Sequence, residues 1–320
     1  MNHSKLSYSV GALLYCPANN PTLAESIIQN KFGNKFSLAL CLEDTIRDDR
    51  VAEAEHTLKE TLGRLYRQTK ISSFYLPKIF IRVRSPRQIF RLYKECNDCG
   101  ELITGFILPK FSRGNAEEYI TEIIRVNEFS QKTVYAMPIY ESPDIINLKK
   151  RYDILYALKD SIDAIEELIL NIRVGGNDLC HMFGFRRHDN ESIHQIRPVA
   201  DIFSDIMTVY GMDYVVSGPV WEYYNSPGWE TGMRREIAED KLLGFVGKTV
   251  IYPNQIEVVN DSYQVAKEDY EDALAILNWD KEHPSLVSAS VGKKRMNERK
   301  THENWAIRTL RLAESFGVRS

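Results

Sequence analysis

Six short apolar runs recur along this chain of 320 residues, and each ends in a polar or charged group. Each run is too short and too uniformly apolar for an amphipathic helix, so it predicts a strand that is buried on both faces. Two further runs complete a set of eight predicted strands, over residues 11–15, 37–41, 79–83, 106–108, 134–139, 168–174, 214–216 and 249–251. Stretches with helical spacing, such as residues 115–129 and 199–210, separate them, so the chain is predicted to repeat a βα unit.

Eight such units, joined by right-handed crossovers, predict a (β/α)8 TIM barrel over residues 8–260. The competing α/β architecture is an open, doubly wound sheet. That fold normally places a glycine-rich turn after its first strand, and residues 16–21 contain no glycine. Beyond the barrel, helices are predicted over residues 262–277 and 304–316. Residues 261–320 are therefore predicted to form a C-terminal helical extension, which we expect to pack on a neighbouring subunit.

The composition excludes several classes of partner. The net charge is -3 with both signs interspersed, so we expect no nucleic acid partner. No run approaches the ~18 uninterrupted apolar residues of a membrane helix, so we expect no membrane partner. The first nine residues lack a basic segment followed by an apolar one, and a cytoplasmic location is the expectation. The five cysteines are too irregularly spaced for a disulfide framework, and Cys96 and Cys99 are expected to be reduced thiols.

Two acids follow neighbouring predicted strands. Glu141 and Asp178 are each the first strong anion after strands five and six, so a barrel brings them together on one rim. Two adjacent carboxylates suit a hard divalent cation such as Mg²⁺, which takes few protein oxygens and keeps waters that a substrate can displace. The alternative is that both are solvated loop acids.

Arg82 ends the third predicted strand between two apolar residues, so its guanidinium needs a partner inside the fold. Its planar fork suits bidentate binding of a substrate carboxylate beside a metal site. The alternative is an internal ion pair with Glu43 or Asp44, which end the second strand. Both hold if an acid orients the arginine for its substrate.

Seven short motifs occur in this order along most of the chain: CPANNP (16–21), LED (42–44), IRV (81–83), GFILPK (105–110), ESP (141–143), GGNDL (175–179) and GKTVIYPNQI (247–256). Together they resemble the citrate lyase beta-subunit-like branch of the HpcH/HpaI aldolase superfamily. The resemblance implies a TIM barrel and a Mg²⁺-dependent carbon-carbon lyase or aldolase. It implies a metal-stabilised enolate formed from a small carboxylate, a 2-oxo acid or an acyl-coenzyme A-like substrate.

The resemblance also implies roles for particular residues. The metal ligands would be Glu141 and Asp178, and Arg82 would bind the substrate carboxylate with Glu43 or Asp44 orienting it. Further substrate contacts are implied in the first, sixth and last motifs, at Asn19, Gly175, Gly176 and Pro253, with the backbone amides near the two glycines as donors.

Three departures from the family pattern limit the analogy. Arg84 stands where relatives carry an asparagine, and Asn20 where they carry an arginine, so the acyl carrier stays open. In the tail, Glu298 is the counterpart of an aspartate that reaches an adjacent subunit's site in some relatives. It is a candidate acid, and a homo-oligomer, trimer or hexamer, is expected. These differences resemble a divergent carbon-carbon bond lyase group found alongside tellurite-resistance and stress genes.

Two other functions are compatible with the same scaffold. One is hydrolysis of an acyl thioester or ester, which yields an acid without a carbonyl fragment. The other is a non-catalytic, ligand-binding scaffold subunit. A Schiff base at Lys110 is disfavoured, because the carboxylate pair indicates the metal route and Lys110 lies in a loop motif.

Several polar and aromatic residues have two interpretations each. Arg186 and Arg187 form either an anion site or a solvated loop. His181 and His194 act either as proton shuttles or as structural groups. An aromatic cluster after strand seven is either a lid or a subunit contact, and comprises Trp221, Tyr223, Tyr224 and Trp229.

Overall fold

The predicted apolar runs form eight parallel strands in the structure, a computed structural model that describes residues 5–280 and 285–319. The strands are β1 (Ala12–Pro17), β2 (Ser37–Cys41), β3 (Lys78–Arg82), β4 (Ile103–Leu108), β5 (Tyr135–Tyr140), β6 (Ile172–Val174), β7 (Val216–Ser217) and β8 (Lys248–Val250). Their order is β7-β6-β5-β4-β3-β2-β1-β8. A bridge between Gly218 and Lys248 connects the two ends. The sheet therefore closes, and the predicted (β/α)8 barrel is confirmed.

Helices follow the strands and cover the barrel. Those of the barrel region are α1 (Lys5–Tyr8), α2 (Leu23–Ile28), α3 (Val51–Thr69), α4 (Gln88–Glu95), α5 (Ala116–Phe129), α6 (Arg151–Asp163), α7 (Gly176–Phe183), α8 (Arg197–Tyr210), α9 (Trp229–Leu243) and α10 (Asn254–Tyr263). Short 3-10 helices lie at Asp48–Arg50, Asn97–Leu102, Pro143–Ile146, Glu166–Leu168 and Ile193–Gln195. Across the described ranges, no helix combines the length and the apolar character needed to cross a membrane.

The strands alternate their side chains between two apolar layers. Outward-facing residues pack against the helices in the main core. Inward-facing residues fill the barrel, and include Leu13, Ala39, Phe80, Ile107 and Met137. Toward the carboxyl ends of the strands, polar side chains replace this apolar filling. The barrel interior is thus filled by apolar side chains, except at the carboxyl ends of the strands, where polar side chains are available for chemistry.

The helix predicted over residues 262–277 begins five residues later than predicted, at Lys267. The chain leaves α10 at Tyr263 and forms β9 (Val265–Ala266), and only then begins α11 (Lys267–Leu277). β9 pairs in parallel with β12 (Val318–Arg319), and the Val265 N–H donates to the Gly317 carbonyl at 3.0 Å. A partner strand more than fifty residues downstream interrupts the helix, which helical periodicity in the sequence does not register.

The C-terminal segment is helical only in part. Residues of α11 pack against α12 (Glu303–Phe316) in a small core of Ala273, Ile276 and Ala306. Between these helices lies a hairpin of β10 (Val287–Ala289) and β11 (Met296–Glu298). Two boundaries within the barrel also differ from prediction. β6 covers only the end of residues 168–174, because the 3-10 helix Glu166–Leu168 precedes it, and β7 begins two residues later than predicted.

Candidate active site at the carboxyl ends of the strands

A cavity of about 870 Å³ lies at the carboxyl ends of the strands. Apolar side chains such as Leu14, Ile139 and Val174 form part of its wall. The predicted site residues that line it are Asp44, Arg82, Glu141, Gly175, Gly176, Asp178 and Pro253. The cavity thus collects residues from opposite ends of the sequence, as the carboxyl face of a barrel does.

Arg82, Glu43, Asp44, Lys110, Glu141 and Asp178 form the mouth cluster, with Arg82 at its centre. The Nη2 atom of Arg82 contacts three carboxylates: Glu43 at 2.7 Å, Asp44 at 2.9 Å and Glu141 at 3.4 Å. The guanidinium is buried, so these contacts replace the water that it loses. Its Nε atom is buried and has no hydrogen-bond partner among the described residues. One part of the fork is therefore held, and another is without a protein acceptor.

Lys110 ties β4 to the acids of β2 and β5. Its backbone adopts a left-handed conformation with φ 50°, which aims its N–H at Glu141 Oε1, 3.1 Å away. Its ammonium group contacts Glu43 and lies 3.0 Å from Asp44 Oδ1. Burial lowers the pKa of Lys110, but the two carboxylates outweigh it and raise the pKa above its usual value. The amine is therefore held protonated, which is the wrong state for a Schiff base.

Glu141 is buried, and it follows β5 directly. Burial raises the pKa of its carboxyl to about 8, an effect that Arg82 opposes and Asp178 strengthens. Asp178 lies in the first turn of α7 and faces the same cavity. The mouth cluster holds four carboxyl groups and two cationic side chains, so with all four ionised it would carry two negative charges in excess, which one divalent cation would neutralise. Without a cation, burial and the neighbouring acid favour the protonated form of Glu141.

The donor set at this site fits a hard divalent cation such as Mg²⁺. In the described part of the chain, no three His, Cys, Asp or Glu side chains come together as a ligand group. That argues against a cage of protein ligands such as Zn²⁺ or Ca²⁺ would use. Two carboxylates beside an open cavity are the arrangement in which Mg²⁺ keeps waters and takes oxygens from a substrate. Glu141 and Asp178 therefore fit the predicted ion.

Gly175 and Gly176 are required by packing. A Cβ on Gly175 would lie 2.0 Å from Glu141 Oε2, and one on Gly176 would lie 2.5 Å from Ile193 Cδ1. The Gly175 N–H donates to the Tyr140 carbonyl at 3.2 Å, so this amide serves the barrel wall. Amide donors for a ligand are instead the first ones of α7, beginning at Gly176, which have no acceptor within the helix.

Three predicted residues do not line the cavity of their own chain. Glu43 is buried behind it against Arg82. Asn19 is exposed, and its neighbour Asn20 lines the cavity instead. The Asn20 N–H donates to the Pro17 carbonyl at 3.1 Å, and this turn directs the second asparagine inward. Glu298 lies in the C-terminal hairpin, where its N–H donates to His302 Nδ1 at 3.0 Å.

The neighbouring residues Arg186 and Arg187 lie in different surroundings. Arg186 lines the cavity and lies 3.5 Å from Glu222, whereas Arg187 turns into the wall. Arg187, His194, Glu236, Asp240 and Lys248 form the buried network between β8 and α9. Its contacts are Arg187 to Glu236 at 3.1 Å, Lys248 to Glu236 at 2.9 Å, Lys248 to Asp240 at 2.7 Å and His194 to Asp240 at 2.7 Å.

The histidines and aromatic residues that had two interpretations occupy different positions in the structure. His194 belongs to the buried network and is structural, while His181 is exposed and does not line the cavity. Trp221 is fully buried. Tyr224 stacks on Tyr252 with 3.5 Å between ring centres, and Tyr252 lines the cavity.

Sequence reasoning missed several polar residues of the cavity, among them Tyr15, Arg173 and Thr249. Arg173 is central among them, because its Nη2 donates to Thr249 Oγ1 at 2.6 Å deep inside the barrel. The available signal was a charged residue within the apolar run of strand six. In a strand buried on both faces, a charge points to a functional position.

These features define a (β/α)8 protein with an anionic, metal-competent site at the carboxyl ends of its strands. The chain belongs to the family described as carbon-carbon bond lyase of the TIM-barrel fold, whose match covers residues 4–318. It is thus a carbon-carbon lyase by family, and the resemblance predicted from its motifs is confirmed at that level. No curated protein matches the chain.

Solved structures share this fold at low sequence identity. A citrate lyase from Burkholderia xenovorans LB400 is 14% identical with a TM-score of 0.72, covering 97% of this chain and 93% of that chain. The CitE protein from Mycobacterium tuberculosis, in complex with magnesium, acetoacetate and coenzyme A, is 17% identical with a TM-score of 0.61, covering 96% and 99%. The M. tuberculosis citrate lyase beta subunit with oxaloacetate and magnesium is 18% identical with a TM-score of 0.52, covering 81% and 99%.

Proposed function

We propose that this chain is a Mg²⁺-dependent lyase or aldolase that breaks or makes a carbon-carbon bond beside a carbonyl in a small 2-oxo acid or acyl substrate. The observation that carries the proposal is that four acidic side chains face only two cationic ones in the mouth cluster, around a buried Glu141 at the cavity. The M. tuberculosis relatives bind magnesium together with oxaloacetate or acetoacetate, which supports the same assignment here.

Glu141 and Asp178 are the proposed metal ligands. Bound there, Mg²⁺ supplies positive charge to a substrate carbonyl oxygen, where negative charge develops as the neighbouring bond breaks. The Lys110 N–H fixes Glu141 Oε1 at 3.1 Å, and the missing side chain of Gly175 leaves room for Oε2. The chain therefore holds one ligand in place before any substrate arrives, which is what precise catalysis requires.

Arg82 is the proposed partner of the substrate carboxylate at the mouth. Glu43 and Asp44 hold its Nη2 atom at 2.7 and 2.9 Å, so this end of the guanidinium is held in place. Its buried Nε has no protein acceptor among the described residues, and a substrate oxygen fits that donor. The acids of β2 thus position Arg82, and Arg82 with the metal ligands orients the substrate.

Glu298 is proposed to act from a neighbouring subunit, as its family counterpart implies. Its position in the hairpin, outside the cavity of its own chain, requires a homo-oligomer for that role. Mixing two inactive variants tests it. Glu141→Gln and Glu298→Gln chains, exchanged into common oligomers, regain part of the activity if sites are shared. Mixtures that stay inactive while native mass spectrometry of a tagged and an untagged chain shows mixed oligomers contradict a shared site.

The main test measures proton-deuterium exchange at the methyl groups of pyruvate and acetyl-coenzyme A in D₂O by NMR. Exchange is expected with Mg²⁺, and is expected to disappear with EDTA and in Glu141→Gln. Binding of Mn²⁺, followed by electron paramagnetic resonance, gives a readout that is independent of turnover. We expect Glu141→Gln to weaken that binding by at least about tenfold.

Glu55→Gln is the matched control, because Glu55 is also buried but pairs with Arg91 at 2.6 Å outside the barrel. It should leave exchange and metal binding unchanged. Wild-type protein that binds no Mn²⁺, or that exchanges equally well in EDTA, contradicts the metal mechanism. Release of an acid from a thioester without any carbonyl fragment indicates the hydrolase alternative.

A further inference from the structure

Arg173 carries a charge that the protein does not pair. It lies on β6 and is 2% exposed, with its guanidinium inside the barrel and lining the cavity. Its Nη2 atom donates to Thr249 Oγ1 at 2.6 Å. Its Nη1 atom is buried and has no hydrogen-bond partner within residues 5–280 and 285–319. A polar donor is therefore presented to the cavity with its bonding capacity unused.

The other buried arginines are all paired with acids. Arg82 contacts three carboxylates of the mouth cluster, Arg151 lies 2.6 Å from Asp205, and Arg187 lies 3.1 Å from Glu236. For Arg173, no carboxylate of the described chain lies within 4.0 Å. A buried and unpaired charge is costly to the fold. Such a charge persists where an anion from outside the protein completes the site.

The position of Arg173 sets where that anion would lie. Arg173 is opposite Ile139 in the β5–β6 register, and Glu141 is two residues beyond Ile139. At about 3.3 Å per strand residue, Arg173 is one interior layer, about 6–7 Å, deeper than Glu141. The Tyr15 ring lies 5.7 Å from the Arg82 guanidinium and interacts electrostatically with Arg173 as well, so Tyr15 connects the two levels.

We propose that Arg173, with the hydroxyl groups of Tyr15 and Thr249, binds a second carboxylate of the substrate, deeper in the barrel than the carbonyl that reacts. The inference rests on the proposed function, because it takes Glu141 and Asp178 as the reacting end. The substrate class is then a dianion, with its second carboxylate about two to three bonds from the reacting carbonyl. Arg82 and Arg173 together select a ligand by its charge and by the distance between its two carboxylates.

The test compares ligands that differ only at this end. Calorimetric titration with Mg²⁺ measures binding of pyruvate, 2-oxobutyrate, oxaloacetate and phosphonopyruvate to the full chain. Wild type is expected to bind oxaloacetate at least about tenfold more tightly than 2-oxobutyrate, which has a methyl in place of the second carboxylate. Arg173→Met should abolish this preference and leave 2-oxobutyrate binding within about threefold. Arg173→Lys should keep part of it, because it keeps the charge without the fork.

Arg151→Met is the matched control for removing a buried arginine. It should lower the Tm, because it leaves Asp205 unpaired, and it should keep the preference for oxaloacetate. Arg173→Met should keep or raise the Tm, since it removes an unpaired charge. A lower Tm together with equal loss of both four-carbon ligands would mean a structural role and would overturn the proposal. Arg173-dependent binding of phosphonopyruvate that exceeds that of oxaloacetate would overturn the carboxylate assignment in favour of a phosphate.

A second readout separates this inference from the proposed function. If no 2-oxo acid binds the wild type in Mg²⁺, the proposed function fails, and the anion site is tested with malonate and inorganic phosphate. These anions should raise the Tm of wild type and have less effect on Arg173→Met. Equal shifts in both proteins overturn the anion site at Arg173.

Discussion

The mouth cluster and the buried network are built from the same kinds of side chain, and they differ in how completely the charges are paired. In the buried network, two cations face two carboxylates, and His194 adds a contact to Asp240. In the mouth cluster, three carboxylates share two cationic side chains, and Asp178 faces the same cavity as a fourth acid. Burial alone therefore does not separate the structural cluster from the functional one.

The difference has an energetic consequence. In the buried network, the contacts among the charged groups offset the free energy lost when they leave water. Removing one member leaves like charges close together in surroundings that screen their repulsion little. In the mouth cluster, acids outnumber cations, and the stability of the rest of the fold keeps them together. Removing one of these acids therefore relieves repulsion. Stability and activity should therefore respond in opposite ways at the two clusters.

The largest expected effect is loss of stability in Lys248→Met. Lys248 is fully buried and lies 2.9 Å from Glu236 and 2.7 Å from Asp240, so its removal leaves two acids close together without a cation. We expect the free energy of unfolding, measured by urea titration, to fall by about 3–5 kcal/mol. Glu141→Gln is the counterpart at the mouth cluster and should unfold at the same urea concentration or higher. Similar losses in both variants would remove the distinction between the clusters.

Gly175→Ala should separate metal binding from folding. The added methyl group would lie 2.0 Å from Glu141 Oε2 and 2.4 Å from Glu141 Cβ, so the carboxylate must leave its position. We expect Mn²⁺ affinity to fall by about 10- to 100-fold, as when the support of a metal ligand is lost. Gly184→Ala is a control with a left-handed glycine and no heavy atom within 4 Å of the added methyl, and should leave affinity unchanged. Undiminished affinity in Gly175→Ala would mean that Glu141 is not a ligand.

The barrel was predictable because its signal is local. Each strand is an apolar run of its own, and β2 was predicted over the same residues that form it, Ser37–Cys41. The acids of the mouth cluster were predictable for the same reason, since each lies within four residues of the end of its strand. The side-chain geometry was not. Asn19 and Asn20 are equivalent in the sequence, and only the turn at Pro17 determines which of them lines the cavity.

The buried network and Arg173 depend on contacts that no local pattern contains. Glu236 and Asp240 are four residues apart on α9, a spacing that the surface of a helix also uses for ion pairs. They are recognisable as buried only once α9 packs beside Lys248. Arg173 is a single charge in an apolar run, and its lack of a partner is visible only when every neighbouring strand is in position.

A smaller effect is expected from pH on the buried network. Burial would raise the pKa of Asp240, but Lys248 and His194 outweigh it and hold the pKa below the ordinary value of 3.8. Because the folded pKa is the lower one, the ionised carboxylate favours the folded state. This stabilisation is complete above pH 3.8 and is lost as the pH falls through the folded pKa. Urea titrations of wild type and Asp240→Asn should therefore converge in acid, and a constant difference between them would contradict the depressed pKa.

The smallest effect is expected at Lys110. Its side chain is about half exposed, so its ion pairs with Glu43 and Asp44 are partly screened by solvent. Lys110→Met should change the free energy of unfolding by less than about 1 kcal/mol, well below the change in Lys248→Met. The same lysine also tests the metal route. Because its amine is protonated and paired, borohydride added with pyruvate should leave the mass of the wild-type chain unchanged. A gain in mass that Lys110→Met abolishes would show that the mouth cluster activates a nucleophilic amine, and its excess of carboxylates would then need a different explanation from a bound cation.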